Sequence, residues 1–148
     1  MSLEYTISEA IKTAMRAKDR VALDSLRAVK SQILLLKTEA LGAEVSPEQE
    51  IAILQRMIKQ RKDSYEQFTA QGRNDLAEVE DAQMKVIEKY LPVQLSSEEL
   101  EVEIKQIIPN TGAESIKDLG KVMGIASKNL AGKSDGKSIS EMAKKLLS

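Results

Sequence analysis

The sequence predicts an all-α protein, and three observations lead to this prediction. Aromatic residues make up only 3% of the 148 residues. Leu, Ala, Lys, Glu and Gln are frequent, and these residues favour helices over strands. Apolar residues recur at intervals of three and four along most of the chain, which is the spacing of one helix face. We therefore expect an N-terminal antiparallel bundle of about four helices over residues 1–92 and a small three-helix domain over residues 93–148.

The first two helices are predicted from apolar periodicity. Apolar residues recur at helical spacing from Leu3 to Ala14, and a second, longer stripe runs from Ala22 to Ala40. Gly42 follows this second stripe directly. Since glycine adopts the left-handed conformation that ends many helices, Gly42 is expected to be the first residue beyond the cap of the second helix.

The third helix has a clear start signal. In Ser46-Pro47-Glu48-Gln49, the serine and the glutamine form a capping box, and proline suits the first helical position. The stripe that follows contains Arg61, which is expected to snorkel or to pair across the bundle. Gly72 should end this helix.

The fourth helix is expected to begin with Asn74 or Asp75 as its cap and to end before Pro92, because proline restricts the residue before it. Three aromatic side chains of the third and fourth helices are expected to anchor the core. They are Tyr65, Phe68 and Tyr90.

Three further helices are predicted after Pro92. Ser96 and Glu99 form a second capping box for a fifth helix, which is expected to end at Pro109. The sixth helix should run from the segment 115–118 to residue 130 and stop at Gly132. The seventh should begin with Ser134 or Asp135 as its cap.

The composition excludes several classes of site. Without His or Cys, the chain cannot form a Ser-His-Asp triad, a Cys nucleophile, an imidazole or thiolate zinc site, or the usual haem and iron–sulfur ligand sets. The acidic run over residues 75–81 lacks the histidines of a di-iron bundle. We expect no cofactor, no metal and no intrinsic catalytic activity, since no nucleophile, base or metal constellation is recognisable.

The sequence also carries no membrane or secretory signal. Its longest apolar runs, such as residues 33–36, contain four residues, far fewer than the 18 or so that a membrane span needs. The first ten residues lack the basic and apolar regions of a signal peptide. We expect a cytoplasmic protein without a membrane partner.

The predicted sixth helix carries a basic face. At 100° per residue, Lys117, Lys121 and Lys128 fall within about 40° of one another, opposite the apolar side. Gly120 and Gly124 lie one turn apart beside these lysines. Each glycine costs roughly 1 kcal/mol relative to alanine inside a helix, and close approach by another backbone or a sugar-phosphate chain would explain that cost.

The turn after this helix adds Lys133 and Lys137 near a helix N-terminus, where backbone N–H groups can receive a phosphate. Residues 117–137 contain five lysines and two acidic residues, Asp118 and Asp135. The local charge is therefore +3, although the whole chain carries −1. On spacing alone, the pattern is typical of a solvated surface. It is not a P-loop, because the first glycine and the preceding strand are absent. The candidate RNA-binding residues are Lys117, Gly120, Lys121, Gly124, Lys128, Lys133 and Lys137.

Several short segments resemble a known family. They are Leu26-Arg27 with Lys30, the segments 59–64, 73–76 and 90–92, Gly120-Lys121-Val122-Met123-Gly124, and Gly132-Lys133-Ser134-Asp135-Gly136-Lys137. With these segments the chain resembles the YqeY-like proteins, which share their architecture with the C-terminal tail of the B subunit of the tRNA-dependent amidotransferase (GatB). The resemblance implies a helical bundle followed by a three-helix domain, which in that subunit contacts the tRNA. The kinase-like core and the amidase subunit of that enzyme have no counterpart here.

Three functions remain open on this basis. The first is an accessory protein that binds tRNA or another structured RNA through the basic helix face. The second is an adaptor in which the glycine-lined face docks a protein partner. The third is an accessory component of a glutamine-dependent carbon–nitrogen ligase. The oligomeric state is not indicated by the sequence.

Overall fold

The structure, a computed structural model, describes residues 2–148. Over these residues it contains seven α-helices, one 3₁₀ turn and no strand, so the all-α prediction is confirmed. The chain divides into two compact units, which we call the N-terminal unit, ending at Leu91, and the C-terminal unit, Pro92–Ser148. No helix over the described range is long and apolar enough to cross a membrane.

The N-terminal unit contains four helices, which pack mainly as the pairs α1 with α2 and α3 with α4. Their bounds are α1 Leu3–Ala17, α2 Arg20–Glu39, α3 Pro47–Ala70 and α4 Asn74–Glu88. The C-terminal unit contains three helices and the 3₁₀ turn. Their bounds are α5 Ser97–Thr111, the 3₁₀ turn Ile116–Asp118, α6 Leu119–Asn129 and α7 Gly136–Leu147.

Both predicted capping boxes are confirmed. The Ser46 hydroxyl accepts a bond from the Gln49 N–H (3.2 Å), and the Ser46 N–H donates to the Gln49 side-chain oxygen (2.9 Å). Ser96 and Glu99 make the same pair of bonds at 3.2 and 3.0 Å. These bonds satisfy N–H groups that the first turn of a helix leaves unpaired, so they fix where α3 and α5 begin.

Three helix ends of the N-terminal unit are joined by polar contacts. The Glu50 carboxylate, in the first turn of α3, accepts a bond from the Leu3 N–H at 2.6 Å. The Lys37 ammonium, in the last turn of α2, lies 2.8 Å from the Glu4 carboxylate of α1. Both acids sit in first turns, where the helix dipole favours negative charge. These contacts set how α1 meets α2 and α3.

The core of the N-terminal unit is aliphatic, and it differs from the predicted stripe on α3. Ile53 and Met57 are buried, although they lie outside the stripe that the spacing predicts. That stripe consists of Ile51, Leu54, Ile58, Arg61, Tyr65 and Phe68. Tyr65 keeps 38% of its surface exposed, so its prediction as a core anchor is wrong, whereas Tyr90 packs against the core. The buried cluster consists of Ile7, Ala14, Leu26, Val29, Ile33, Ile53, Leu54, Met57 and Ile87.

Two predicted helix ends of the N-terminal unit need correction. Leu41, not Gly42, is the first left-handed residue after α2, with φ of 56°, and Gly42 follows with φ of 86°. Arg73, rather than Asn74 or Asp75, occupies the N-cap position of α4. The Arg73 guanidinium donates two bonds to the Asp75 carboxylate, at 3.2 and 3.1 Å, and these bonds lower the pKa of Asp75. The Arg73 side chain makes no cap bond to a backbone N–H of α4 and pairs with Asp75 instead.

The predicted end of α5 at Pro109 is also wrong, because the helix continues to Thr111 and ends at Gly112, whose φ is 71°. Proline lacks the N–H that would bond to the carbonyl four residues earlier. In the last turn this removes only one bond, and the helix continues for two more residues.

The C-terminal unit has a core without aromatic rings. Val122 and Ala126 of α6 are fully buried between residues of α5 and α7. The three tyrosines and the phenylalanine of the chain all precede Pro92. The buried cluster consists of Leu100, Ile104, Ile107, Val122, Ala126, Leu130, Ile139, Ala143 and Leu147.

Arg61 bonds across the N-terminal unit, from α3 to α4. Its Nε donates to the Gln83 side-chain oxygen at 3.2 Å, and one terminal nitrogen donates to the Met57 carbonyl at 3.3 Å. Burial lowers the pKa of Arg61, while the charge of Glu80 acts in the opposite direction. The cross-helix bond goes to an amide oxygen rather than to a carboxylate.

We predict that residues 1–92 fold on their own, because their helices share a single core. A fragment ending at Pro92 should be strongly helical by circular dichroism and should melt cooperatively. A fragment that melts without cooperativity would show that this unit needs the rest of the chain.

Arg61→Ala should lower the free energy of unfolding by about 1 to 2 kcal/mol, because it removes two hydrogen bonds of a half-buried group. Lys62→Ala is the matched control, since Lys62 is exposed on the same helix. Its effect should stay within about 0.5 kcal/mol. Urea denaturation of both variants measures the difference, and equal effects would contradict a stabilising role for Arg61.

Candidate nucleic-acid interface

Helix α6 separates an apolar side from an open side. Val122 and Ala126 are fully buried, and Leu130, its C-cap residue, is 3% exposed. Because helix positions three and four residues apart share a face, these residues turn the rest of the helix outward. The outward side contains Gly120, Lys121, Gly124, Ile125, Ser127 and Lys128, all of which are exposed.

Gly120 and Gly124 are not required by the packing of this chain. A Cβ built on either residue meets no atom within 4 Å, and neither residue has a positive φ. The fold would accept alanine at both positions, yet the helix keeps glycines that cost it roughly 1 kcal/mol each. The result is a stretch of exposed helix backbone that another molecule can approach closely.

Lys117 lies outside α6, so its predicted place on the sixth helix is corrected. The Ser115 hydroxyl accepts a bond from the Lys117 N–H at 3.4 Å, and residues Ile116–Asp118 form a 3₁₀ turn. A 3₁₀ turn advances by about 120° per residue instead of 100°, so the angular argument holds only for Lys121 and Lys128. Lys117 precedes the face as an exposed residue.

Asp118 is an acidic group beside Lys121. Its carboxylate accepts a bond from the Glu114 N–H at 3.0 Å, and it lies 3.9 Å from the Lys121 ammonium. The Glu114 bond lowers the pKa of Asp118, desolvation opposes this effect, and Lys121 contributes in the same direction as the bond. Over residues 2–148, Lys117 and Lys128 make no ion pair, so their charges are available to a ligand.

The turn between α6 and α7 is held by the segment after Pro92. The Leu95 N–H donates to the Lys133 carbonyl at 2.8 Å, and the Gln94 Nε2 donates to the Gly132 carbonyl at 2.5 Å. Gly132 is buried with φ of 78°, a left-handed conformation that favours glycine. Lys133 is therefore presented as an exposed side chain on a turn whose backbone is bonded.

The N-terminus of α7 is already capped by an acid. Asp135 is the N-cap, one of the two predicted residues, and its carboxylate accepts a bond from the Ser138 N–H at 2.8 Å. This negative charge disfavours a phosphate at the same helix end, so the expected phosphate contact with backbone N–H groups loses support. Lys137 remains as an exposed side chain in the first turn.

The structure thus places four of the seven candidate residues, Gly120, Lys121, Gly124 and Lys128, on one side of one helix. We call these four residues the lysine–glycine face. Lys117 precedes the face, and Lys133 and Lys137 follow it on the turn and on α7. Within the described part of the chain, no group of three or more acidic side chains could hold a metal ion.

Sequence reasoning missed Gln94 and Ile125. Gln94 reaches a carbonyl 38 residues further along the chain, and no local pattern signals such a contact. Ile125 follows Gly124 and keeps 39% of its surface exposed, although its apolar side chain would favour burial.

Comparison with known proteins agrees with the segments noted in the sequence. A family model described as "Yqey-like protein" matches residues 4–147. The chain belongs to the YqeY-like family.

Eight curated relatives of this YqeY-like chain bear the name "Altered inheritance of mitochondria protein 41, mitochondrial". The protein of Clavispora lusitaniae is 34% identical over 102 residues, which cover 66% of this chain and 58% of that protein. The protein of Meyerozyma guilliermondii is 40% identical over 91 residues, covering 58% and 44% respectively. The protein of Saccharomyces cerevisiae is 28% identical over 131 residues, covering 87% and 68%. The chain spans about half the length of the first of these relatives.

These names correct the expectation of a cytoplasmic location, because the relatives are named as mitochondrial proteins. The expectation was based on the lack of a secretory signal and of a membrane span. Neither feature distinguishes the cytoplasm from the interior of a mitochondrion, so these two features do not predict a cytoplasmic location.

Gly124→Ala should raise the free energy of unfolding by about 0.5 to 1 kcal/mol, because the position is helical and a Cβ meets no neighbour there. Gly112→Ala is the matched control and should destabilise the chain, since Gly112 has φ of 71°. Thermal and urea denaturation measure both changes. A destabilising effect of Gly124→Ala would mean that α6 needs glycine for its own fold.

Proposed function

We propose that this chain is a non-catalytic accessory protein that binds tRNA or another structured RNA through the lysine–glycine face and the lysines beside it. The observation that carries the proposal is the exposed backbone at Gly120 and Gly124 next to the exposed ammonium groups of Lys121 and Lys128. Phosphates of a folded RNA are the ligand chemistry that this combination fits.

The geometry of α6 allows another molecule to approach its backbone closely at Gly120 and Gly124. Removing two side chains from one turn of helix lets a sugar-phosphate chain come nearer to the axis than it could at alanine. Lysines on the same side then reach the phosphate oxygens with flexible, strongly charged groups. Because Lys121 is 3.9 Å from Asp118 and exposed, its ion pair is weak and can be exchanged for a phosphate.

The charge distribution supports an electrostatic contact of limited size. The chain as a whole carries −1, so attraction to RNA must come from the local charge of +3 over residues 117–137. Such a contact is strong at low salt and weak at high salt, since binding releases counterions from the phosphates. The resemblance to the tRNA-contacting tail of the amidotransferase subunit favours tRNA as the first RNA to test.

An adaptor role is the second candidate, and Ile125 favours it. Its exposed apolar side chain follows Gly124 on α6, and a partner helix packed against the glycines could cover it. Such binding would bury apolar area and would depend little on salt.

The decisive variant replaces Lys117, Lys121, Lys128 and Lys133 by Gln. Glutamine and lysine are both good helix formers, so helicity should be preserved. Binding to total tRNA, followed by gel shift or fluorescence anisotropy at several salt concentrations, should weaken. Each lost phosphate contact lowers the salt slope by roughly 0.7 to 0.9, so four contacts should remove about 3 units.

A charge-matched control removes four exposed lysines from the N-terminal unit, namely Lys18, Lys59, Lys62 and Lys89. It changes the net charge equally, so it should leave most of the affinity and of the salt slope intact. Equal losses in both variants would show that tRNA responds only to net charge.

Gly124→Leu tests the close approach separately, because it adds bulk without changing charge. It should weaken tRNA binding and leave the salt slope nearly unchanged. The RNA proposal fails if the wild type shows no binding at low salt, or if the quadruple Gln variant binds with wild-type affinity and slope. Salt-insensitive binding of a protein partner that Gly124→Leu abolishes would support the adaptor instead.

A further inference from the structure

The first residues of the C-terminal unit bond to a distant turn of the same unit. Gln94 and Leu95 lie only two and three residues after Pro92, yet they bond to the turn between α6 and α7. The Gln94 amide donates to the carbonyls of Pro92 (2.8 Å) and Gly132 (2.5 Å), so one side chain connects two distant backbone segments. The Leu95 N–H adds a bond to the Lys133 carbonyl.

These bonds act on consecutive carbonyls of a turn with a left-handed residue. Gly132 has the conformational freedom to present its carbonyl in several directions, and a bonded carbonyl restricts that freedom. Both carbonyls are bonded to the segment 94–95, and the Lys133 side chain is exposed. The bond from Gln94 therefore helps to fix the turn that carries Lys133.

We infer that Gln94 is a positioning residue for the basic surface of the C-terminal unit. It holds the turn that carries Lys133 in the orientation in which a phosphate-bearing ligand meets Lys133 and Lys128 together. The consequence for binding rests on the proposed function, whereas the hold on the turn does not. Because coupling is reciprocal, a ligand bound to the turn also stabilises the bonds of the segment 94–95.

The test uses the full-length chain with Gln94→Met, which keeps the side-chain length and removes the donor. Gln106→Met is the matched control, since Gln106 is exposed on α5. Amide hydrogen exchange is measured at Leu95, at Lys133 and at the core residues Ile104 and Val122. Exchange at Leu95 and Lys133 should become two- to tenfold faster in Gln94→Met only, the equivalent of one net hydrogen bond, and the core amides should not change.

Binding to total tRNA supplies the second measurement. Gln94→Met should bind two- to tenfold more weakly with an unchanged salt slope, because every lysine is still present. Saturating tRNA should slow exchange at Leu95 in the wild type. Gln94→Ala, which truncates the side chain, should reproduce both effects.

The outcomes separate this inference from the proposed function. Unchanged exchange at Leu95 and Lys133 in Gln94→Met would overturn the inference, and so would faster exchange with undiminished tRNA affinity. Faster exchange at the core amides of Ile104 and Val122 in the same variant would mean general destabilisation and would also overturn it. If the wild type does not bind tRNA at low salt, the proposed function fails, and the exchange data alone then decide whether Gln94 holds the turn.

Discussion

The C-terminal unit depends on the left-handed backbone at Gly132. With φ of 78° the chain reverses after α6, and Asp135 can then start α7 three residues later. After this reversal, Ile139 and Ala143 of α7 lie in the same buried cluster as Val122 of α6. A residue with a Cβ would resist this conformation, so glycine at this position favours the turn that joins α6 to α7 and carries Lys133.

The features that the sequence predicted correctly are local. The caps at Ser46, Ser96 and Asp135 each involve a side chain and an N–H three residues later. Each interaction is therefore contained within a short local segment of the sequence. Gly72 follows the cap of α3 with a positive φ, as predicted, for the same local reason. The position of Gly120 and Gly124 on an open helix side also followed from periodicity, because burial on α6 is confined to one stripe.

The features that the sequence did not predict depend on packing or on distant contacts. Tyr65 could not be recognised as exposed from its spacing, because the buried residues of α3 all lie in the first half of the helix and Tyr65 lies beyond them. Lys117 lies outside α6 because its N–H bonds to the Ser115 hydroxyl in a 3₁₀ turn, and apolar spacing does not signal that turn. Gln94 reaches Gly132 across 38 residues, and no periodicity contains that information.

The C-terminal unit has no aromatic ring, and this limits what its surface can distinguish. Bases stack on aromatic side chains, so an RNA held at this unit would be recognised by the contour and charge of its backbone. Such a surface would bind many RNAs with similar residence times. Selectivity would then arise from the relative abundance of RNAs in the compartment and from how rigidly each one presents its phosphates.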